Sequence, residues 1–266
     1  MKQTSEFEDR VKSVKQVTRA RSWAFYGRSG SGKTTLAATF PRPILVLDIR
    51  DHGTDSIADQ EDIDVFDVNS MDDLEMAYYS LREQPKRYKT VILDTVTQLQ
   101  QIFMEEVMTR KKQRGRVGEW GSMSRREFGD VSALMKDWIN DYRNLVALKI
   151  QPVFLAQERT NTTNDEEDNP DNMLTPEVGP QVMPSVATVL NANVSVIGNT
   201  FIRIRERRKR ANGKIREVRT PVYAIRVGPN PIYTTKIRKP RDIEAPSYIE
   251  NPTYEDLVAV CDGKGE

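Results

Sequence analysis

An eight-residue glycine-rich loop near the start of the chain sets the tightest limit on its fold. The loop reads Gly27-Arg28-Ser29-Gly30-Ser31-Gly32-Lys33-Thr34 and matches the pattern G-x-x-x-x-G-K-[ST] in full. In proteins that bind nucleotides with it, this pattern lies between a buried strand and a helix. The flanking residues agree with this, because 22–26 is apolar and 34–39 has a helical pattern. The motif therefore predicts a strand-loop-helix unit.

The same loop predicts a site for nucleotide phosphates. Its glycines let successive backbone N–H groups face the phosphate oxygens, and the helix that follows adds the positive end of its dipole. Lys33 is expected to reach the β- and γ-phosphates, and the Thr34 hydroxyl to bind Mg²⁺. The predicted cofactors are ATP and Mg²⁺, held by the loop together with Thr35.

Short apolar runs alternate with longer amphipathic stretches, which is typical of a parallel sheet with crossover helices. The strand-sized runs lie at 22–26, 44–47, 91–93 and 153–156. Further along, Ala211-Asn212-Gly213 predicts a hairpin between two β-rich stretches, 194–210 and 214–227. The predicted fold is α/β, with a mostly parallel central sheet flanked by helices and a C-terminal β-hairpin extension.

Polar stretches separate some of these elements. The segment 160–172 is acidic with almost nothing to bury, and we expect a mobile loop there. The segment 55–75 carries nine acidic and no basic residues and is expected to be a solvated loop and helix start. Along the chain, the organisation predicted is an N-terminal helical segment (1–20), an ATPase domain (21–240) and a C-terminal tail (241–266).

The composition excludes several kinds of site. Lys and Arg number 40 against 39 Asp and Glu, so any attraction to nucleic acid must come from local patches. One cysteine, Cys261, and one histidine, His52, rule out a disulfide framework and a multi-histidine metal site. No apolar run approaches the roughly 20 residues that span a bilayer, and no signal peptide is visible. We expect a cytoplasmic protein without a membrane partner.

A magnesium site also needs a carboxylate at the end of a neighbouring strand. The apolar run at 91–93 ends in Asp94, which we interpret as the Walker B acid. The run at 44–47 ends in Asp48, with Asp51 beyond it. Those two acids either belong to the site or cap a loop.

The order of these parts resembles the RecA-like core ATPases, and most closely the small phage proteins of that group associated with single-strand annealing and recombination. The resemblance covers about residues 22–240. It implies that Gln157, at the end of a strand, senses the γ-phosphate. It also implies a water-activating glutamate two residues after Asp48, but Arg50 stands there, so Asp51 is the nearest substitute and Asp48 the alternative.

A basic stretch at 110–126 lies where the resemblance places the first DNA loop. It carries seven basic residues, one acid and three glycines. The residues expected to contact single-stranded DNA are Lys111, Lys112, Arg114 and Arg116, through phosphates, and Trp120, through base stacking. The alternative is a solvated turn whose tryptophan packs on the core. A second basic stretch, 201–219, could face DNA, solvent or a neighbouring subunit.

Two further cations, Lys236 and Arg238, lie one residue apart just before Pro240. Strand alternation puts both on one face. In the RecA-like group such a pair reaches the nucleotide of the adjacent subunit, which implies a ring or filament of identical chains. The alternative is an edge strand protected by charge.

Together these features predict an ATPase acting on single-stranded DNA in phage recombination or replication, in the cytoplasm of the host cell. A single-strand-binding protein is a further candidate partner. One alternative is a nucleotide switch that loads a helicase and hydrolyses ATP slowly. Another is a P-loop kinase for a small metabolite, against which the Gln-ended strand and the basic loop argue.

Overall fold

The chain forms an α/β fold around one mixed sheet. The computed structural model describes residues 20–113, 123–162, 176–211 and 214–264, together with Val11 and Ser13. The segment predicted to form an N-terminal helix lies almost wholly outside these ranges. No helix within them combines the length and apolar character that crossing a bilayer requires.

Nine strands of the described chain belong to the main sheet. They are β1 (Trp23–Tyr26), β2 (Ile44–Asp48), β3 (Ile63–Asp67), β4 (Thr90–Asp94), β5 (Gln151–Ala156), β8 (Val196–Ala211), β9 (Lys214–Arg226), β10 (Lys236–Ile237) and β11 (Ile249–Glu250). The other two, β6 (Glu158–Thr162) and β7 (Pro176–Pro180), pair with each other as an antiparallel hairpin.

The helices pack on both faces of this sheet. They are α1 (Lys33–Ala37), α2 (Met71–Glu83), α3 (Val96–Gln113), α4 (Arg125–Asn144), α5 (Pro184–Asn193) and α6 (Tyr254–Asp262), with 3-10 turns at Gly53–Ile57 and Leu145–Leu148. The predicted α/β class, the mostly parallel sheet and the C-terminal hairpin are confirmed.

Strand order determines where the loops meet. Across the sheet the order is β3-β2-β4-β5-β1-β8-β9-β11, with β10 also pairing with β8. The strands from β3 to β8 are parallel, whereas β9, β10 and β11 are antiparallel to their neighbours. Because parallel strands end at one edge, the loops after β1, β2, β4 and β5 converge there.

Alternation along the strands divides the core into two layers. Trp23 and Phe25 pack on one face with α1 and α6, and Ala24 and Tyr26 pack on the other with α2 to α5. Residues of β2, β4 and β5 alternate in the same way. Both faces are covered, which explains why these strands appear in the sequence as continuous apolar runs.

Two segments that were expected to be loops differ from the sequence-based expectations. The acidic stretch 55–75, expected to be a loop and helix start, contains β3 as well as the start of α2. β3 is an edge strand that mixes acids with apolar residues, and Val65 at its centre is 48% exposed, so no buried run marks it. Part of the expected loop 160–172 belongs to β6. The remainder of that loop, from 163, lies outside the described residues.

The segment expected to be a C-terminal tail, 241–266, contributes residues to the hydrophobic core of the sheet. β11 pairs with β9, with Ile249 opposite Ile225. Leu257 and Cys261 of α6 are buried in the same layer as Trp23. The turn of the long hairpin, at Asn212 and Gly213, falls outside the described residues, although Ala211 and Lys214 pair at its base.

Candidate nucleotide-binding site

The glycine-rich loop between β1 and α1 has a backbone that specific glycines make possible. Gly30 and Gly32 have φ angles of 75° and 86°, a region that other residues rarely adopt. Gly27 is packed so closely on β8 that an added Cβ would lie 2.3 Å from the carbonyl oxygen of Thr200. Ser31 and Thr200 share a hydrogen bond between hydroxyl oxygens 2.7 Å apart. The loop is therefore fixed against β8.

Lys33 folds back over this loop. Its Nζ donates hydrogen bonds to the carbonyl oxygens of Gly27 (3.1 Å) and Arg28 (3.0 Å), and lies 3.5 Å from Oε1 of Gln157. Burial lowers the pKa of Lys33, while the negative charges of Asp94, Asp51 and Glu158 oppose that shift. The ammonium is thus buried within the P-loop, with the carbonyl oxygens of the loop itself as its hydrogen-bond partners.

Thr34 and Asp94 meet beside Lys33. The Thr34 hydroxyl donates to Oδ2 of Asp94 at 2.7 Å. Asp94 is 2% exposed, and its Oδ1 has no hydrogen-bond partner among the described residues. Burial raises the pKa of Asp94 to about 6, and the nearby carboxylate of Asp51 adds to the shift. A hydroxyl next to an unsatisfied carboxylate oxygen fits Mg²⁺, so these residues suit the implied metal.

Gln157 follows β5 and joins the site to α3. Its side-chain oxygen lies near the Lys33 ammonium, and its backbone N–H donates to Oγ1 of Thr97 at 3.0 Å. Thr97 lies three residues after Asp94. The predicted sensor therefore contacts both the loop lysine and the segment that follows the Walker B acid. Sequence reasoning did not single out Thr97.

The acids after β2 have separate roles. Oδ1 of Asp48 accepts from the backbone N–H groups of Asp51 (3.1 Å) and His52 (2.9 Å), so Asp48 caps its own loop. Arg50 bonds to Glu105 on α3 at 2.8 Å and to the carbonyl of Asn69, away from Lys33. Asp51 is exposed, and its charge acts on the pKa values of both Lys33 and Asp94, whereas the charge of Asp48 acts on that of Asp94 alone. Asp51 therefore remains the nearer candidate for the catalytic acid.

Comparison with known proteins agrees with this geometry. The family model described as AAA domain (AAA_24) matches residues 19–238, which is most of the chain. The chain belongs to the AAA domain family. Every site residue described so far lies within the matched range, which includes the P-loop, Asp94 and the strand that precedes Gln157.

Solved structures that are similar to this AAA domain include a KaiC-like protein from Pyrococcus horikoshii, with 11% identity and a TM-score of 0.40 over 77% of this chain and 85% of that one. Another is the flagellar accessory protein FlaH from Methanocaldococcus jannaschii, with 9% identity and a TM-score of 0.37 over 79% of this chain and 78% of that one. No curated protein matches the chain.

The AAA domain also contains a carboxylate that the sequence analysis missed. Glu158 directly follows Gln157, and its Oε1 accepts from Nε of Arg28 in the P-loop at 2.9 Å. Its Oε2 lies 3.4 Å from Nδ2 of Asn199 on β8. Nη1 of Arg226 donates to Oδ1 of Asn199 at 2.7 Å. The position directly after Gln157 was the only signal in the sequence, because these four residues are distant along the chain.

Two cavities flank the P-loop of the AAA domain. The first, of about 290 Å³, lies between α1 and β9, and at its wall a Cβ added to Gly32 would lie 3.1 Å from the Tyr223 ring. Its other lining residues include Thr35, Leu36, Thr39, Asn251 and Pro252. The second, of about 370 Å³, is lined by Arg28, Ser29, Glu158, Asn199 and Arg226 among others. The first cavity has the size and the mostly apolar lining that a nucleotide base needs.

The expected DNA contacts are only partly described. Lys111, near the end of α3, forms an ion pair with Glu127 of α4 at 2.9 Å, and both side chains are mostly covered. That pairing lowers the pKa of Glu127, together with the backbone N–H of Ser124, which is the larger cause. For Lys112 the description covers the helix backbone, and Arg114, Arg116 and Trp120 lie outside the described residues. DNA binding at this loop stays a prediction.

The two late cations lie together, but away from the P-loop of their own chain. Nζ of Lys236 donates to the carbonyl oxygens of Asn191 (2.7 Å) and Ala192 (2.8 Å), and Nη2 of Arg238 lies 3.4 Å from the Ala192 carbonyl. Both therefore cap the C-terminal turn of α5. β10 pairs with the first residues of β8, at the sheet edge opposite the P-loop.

Proposed function

We propose that this AAA domain binds ATP with Mg²⁺ and hydrolyses it, and that single-stranded DNA regulates the reaction. The observation that carries the enzymatic part is the convergence of Lys33, the Thr34–Asp94 pair and Gln157 at one edge of the sheet. A phosphate-binding cation, a magnesium site and a strand end that contacts both are the parts that phosphoryl transfer requires.

The residues of the candidate site have separate roles in this proposal. Lys33 and the loop N–H groups orient the phosphates, Thr34 and Asp94 hold the metal, and Asp51 is the candidate to orient the attacking water. When bound, Mg²⁺ neutralises charge on the phosphate oxygens. The adenine ring enters the cavity of about 290 Å³ and stacks on Tyr223.

The DNA and assembly parts of the proposal rest on the charge pattern. The α3–α4 connection contains the cluster of basic residues with glycines and one tryptophan that binding to single strands favours. The Lys236–Arg238 pair supports a ring or filament in which a neighbouring subunit completes the active site. A role in phage recombination or replication follows from the resemblance of the sequence.

One observation favours a second candidate, a nucleotide switch with slow hydrolysis that loads a helicase. Arg50 occupies the position where the RecA-like group has its water-activating glutamate, and it is bonded to Glu105 instead. Asp48 is engaged by its own loop. If Asp51 does not orient water, ATP binding would persist while turnover would be slow.

ATPase measurements with and without oligo-dT separate these functions. Stimulation by DNA supports the first proposal, whereas ATP binding with near-silent turnover in both conditions supports the switch. Turnover that requires a small-molecule acceptor would indicate a kinase and contradict both. Lys33→Ala is the matched control, because it removes the buried ammonium from the phosphate site and should abolish nucleotide binding in every case.

A further inference from the structure

The P-loop of this chain carries an arginine whose side chain the phosphate-binding pattern does not require. Arg28 is the first variable position of the motif. Its carbonyl oxygen accepts a hydrogen bond from Nζ of Lys33, so Arg28 lies at the end of the loop where Lys33 is expected to meet the β- and γ-phosphates. The guanidinium therefore extends from a backbone position next to the expected site of the terminal phosphate.

The arginine side chain is held by one carboxylate and is otherwise open. Its side chain is 87% exposed, whereas that of its partner, Glu158, is 21% exposed. Asn199 contacts the other Glu158 oxygen and is itself held by Arg226, whose guanidinium stacks between the rings of Phe201 (3.5 Å) and Tyr233 (4.2 Å). Glu158 is therefore the fixed partner of the pair, and Arg28 the one that can move.

We propose that the Arg28 guanidinium binds the terminal phosphate of ATP in the same chain, and that Glu158 competes for it. A guanidinium binds carboxylate and phosphate oxygens with the same planar donors. An ion pair with so exposed an arginine holds it weakly, so exchanging one acceptor for the other costs little. The cavity of about 370 Å³ beside Arg28 gives the side chain room to turn.

The consequence is a site that distinguishes ATP from ADP without a neighbouring subunit. Lys33 and the loop N–H groups contact the β-phosphate, which both nucleotides share, as well as the γ-phosphate, whereas Arg28 would contact only the terminal phosphate that ADP lacks. Glu158 also directly follows Gln157. When Arg28 leaves Glu158 for the phosphate, the carboxylate next to the predicted sensor would therefore lose its cationic partner. This inference rests on the proposed function, because it requires nucleotide at the P-loop.

The test measures equilibrium binding of ATPγS and ADP, each with Mg²⁺, by calorimetry. Arg28→Ala should weaken ATPγS binding by about tenfold or more, the range expected for loss of a charge-assisted hydrogen bond, and change ADP binding by less than about threefold. The ATPγS affinity of Arg28→Lys should lie between those of the wild type and Arg28→Ala, because lysine keeps the positive charge but lacks the planar set of donors of a guanidinium. Glu158→Gln should strengthen ATPγS binding by up to about fivefold.

Arg28→Ala and Glu158→Gln are expected to change the ATPγS affinity in opposite directions, and this distinguishes the proposal from a purely structural role of the ion pair. If the ion pair only holds the loop in shape, Arg28→Ala and Glu158→Gln both break it, and both should weaken the two nucleotides alike. That result would overturn the proposal, as would unchanged ATPγS binding in Arg28→Ala. The double variant should behave as Arg28→Ala does.

Failure of the proposed function would look different. In that case the wild type would bind neither nucleotide, and Lys33→Ala would have no effect to remove. A wild type that binds both nucleotides, together with an Arg28→Ala variant that keeps the wild-type preference, leaves the ATP site in place and rejects only the role of Arg28.

Discussion

Asp94 has an environment that favours metal binding over stability. The carboxylate is buried, one of its oxygens accepts no hydrogen bond from the described residues, and its pKa is raised to about 6. A buried charge without full compensation destabilises the folded chain, and such residues cluster at functional sites. The fold tolerates this cost at the position where a cation is expected.

The raised pKa has a consequence for stability that can be measured. With a folded pKa of about 6 against an ordinary value of 3.8, Asp94 favours folding most at low pH, and this contribution is lost as the pH rises through about 6. A difference of about two pKa units, at about 1.4 kcal/mol each, amounts to about 3 kcal/mol. Asp94→Asn lacks this dependence but keeps an acceptor for Thr34.

We therefore expect Asp94→Asn, without nucleotide or Mg²⁺, to become more stable than the wild type as the pH rises from 4 to 8, by up to about 3 kcal/mol. Urea denaturation across this range measures it, with the exposed Asp59→Asn as the matched control. Adding Mg²⁺ and ATP should stabilise the wild type and reverse the order. Parallel pH profiles of wild type and variant would contradict the burial of this charge.

At the scale of the elements, β9 connects the basic hairpin to the nucleotide site. Tyr223 is half exposed, and its ring lies against Gly32, at the wall of the cavity assigned to the base. Ile202 lies opposite it on β8 and lines the second cavity. The base of the hairpin thus contributes to the walls of both cavities.

Removal of the Tyr223 ring should affect the base and leave the phosphates alone. Tyr223→Ala should weaken ATP binding by roughly 5- to 150-fold, the range of about 1–3 kcal/mol for an aromatic ring stacked on a base, while inorganic tripolyphosphate binding stays unchanged. Tyr223→Phe should retain most of the affinity. Tyr248→Ala, an exposed aromatic outside the cavity, is the control. Equal losses for ATP and tripolyphosphate would place the base elsewhere.

The α3–α4 connection allows a second test at this scale. Replacing Lys111, Lys112, Arg114 and Arg116 with Ala should weaken oligo-dT binding and flatten its salt dependence by about 0.7 for each DNA phosphate that the variant no longer binds. Because Lys111 is paired with Glu127 and mostly covered, Lys111→Ala alone should account for little of that change.

ATP binding should survive in the quadruple variant, since the P-loop is on separate elements. Lys86→Ala with Arg87→Ala, on the α2–β4 connection, controls for the loss of surface charge. If the quadruple variant keeps wild-type affinity and salt slope, the DNA site lies elsewhere, and the hairpin of β8 and β9 becomes the next candidate.

Strands that are buried on both faces were readable from the sequence, and so was the β8–β9 hairpin through its turn residues, whereas the exposed edge strand β3 was missed. β1, β2, β4 and β5 appear as apolar runs, and the P-loop has a fixed pattern. β3 was missed because an edge strand can alternate acids with apolar residues. Glu158 and Tyr223 were missed for a different reason: they reach the P-loop through β6 and β9, and no local pattern encodes a contact between distant segments.

At the scale of the whole molecule, the question is whether one chain completes the site. Lys236 and Arg238 cap α5 in their own chain, an interaction worth about 0.3–1 kcal/mol. They are also the cations that the resemblance assigns to a neighbour. Replacing both with Ala should therefore cost little stability, whichever role they have.

If a neighbour supplies these cations, the Lys236→Ala, Arg238→Ala double variant should bind ATP but hydrolyse it roughly 10³-fold or more slowly. Mixing it with Lys33→Ala protein should restore part of the activity, because each supplies the half that the other lacks. A triple variant carrying all three changes should restore nothing to either partner. Specific activity that is independent of protein concentration would argue for the cis contribution of Arg28 alone.

The cavity assigned to the base is closed by residues from both ends of the described chain. Gly32 and Thr35 form one side, while Asn251 and Pro252, next to α6, form the other. During synthesis the P-loop leaves the ribosome long before this second wall exists. A nascent chain would therefore carry the phosphate motif without a complete base site, and full stabilisation by ATP would be reserved for chains whose translation has passed β11 and α6.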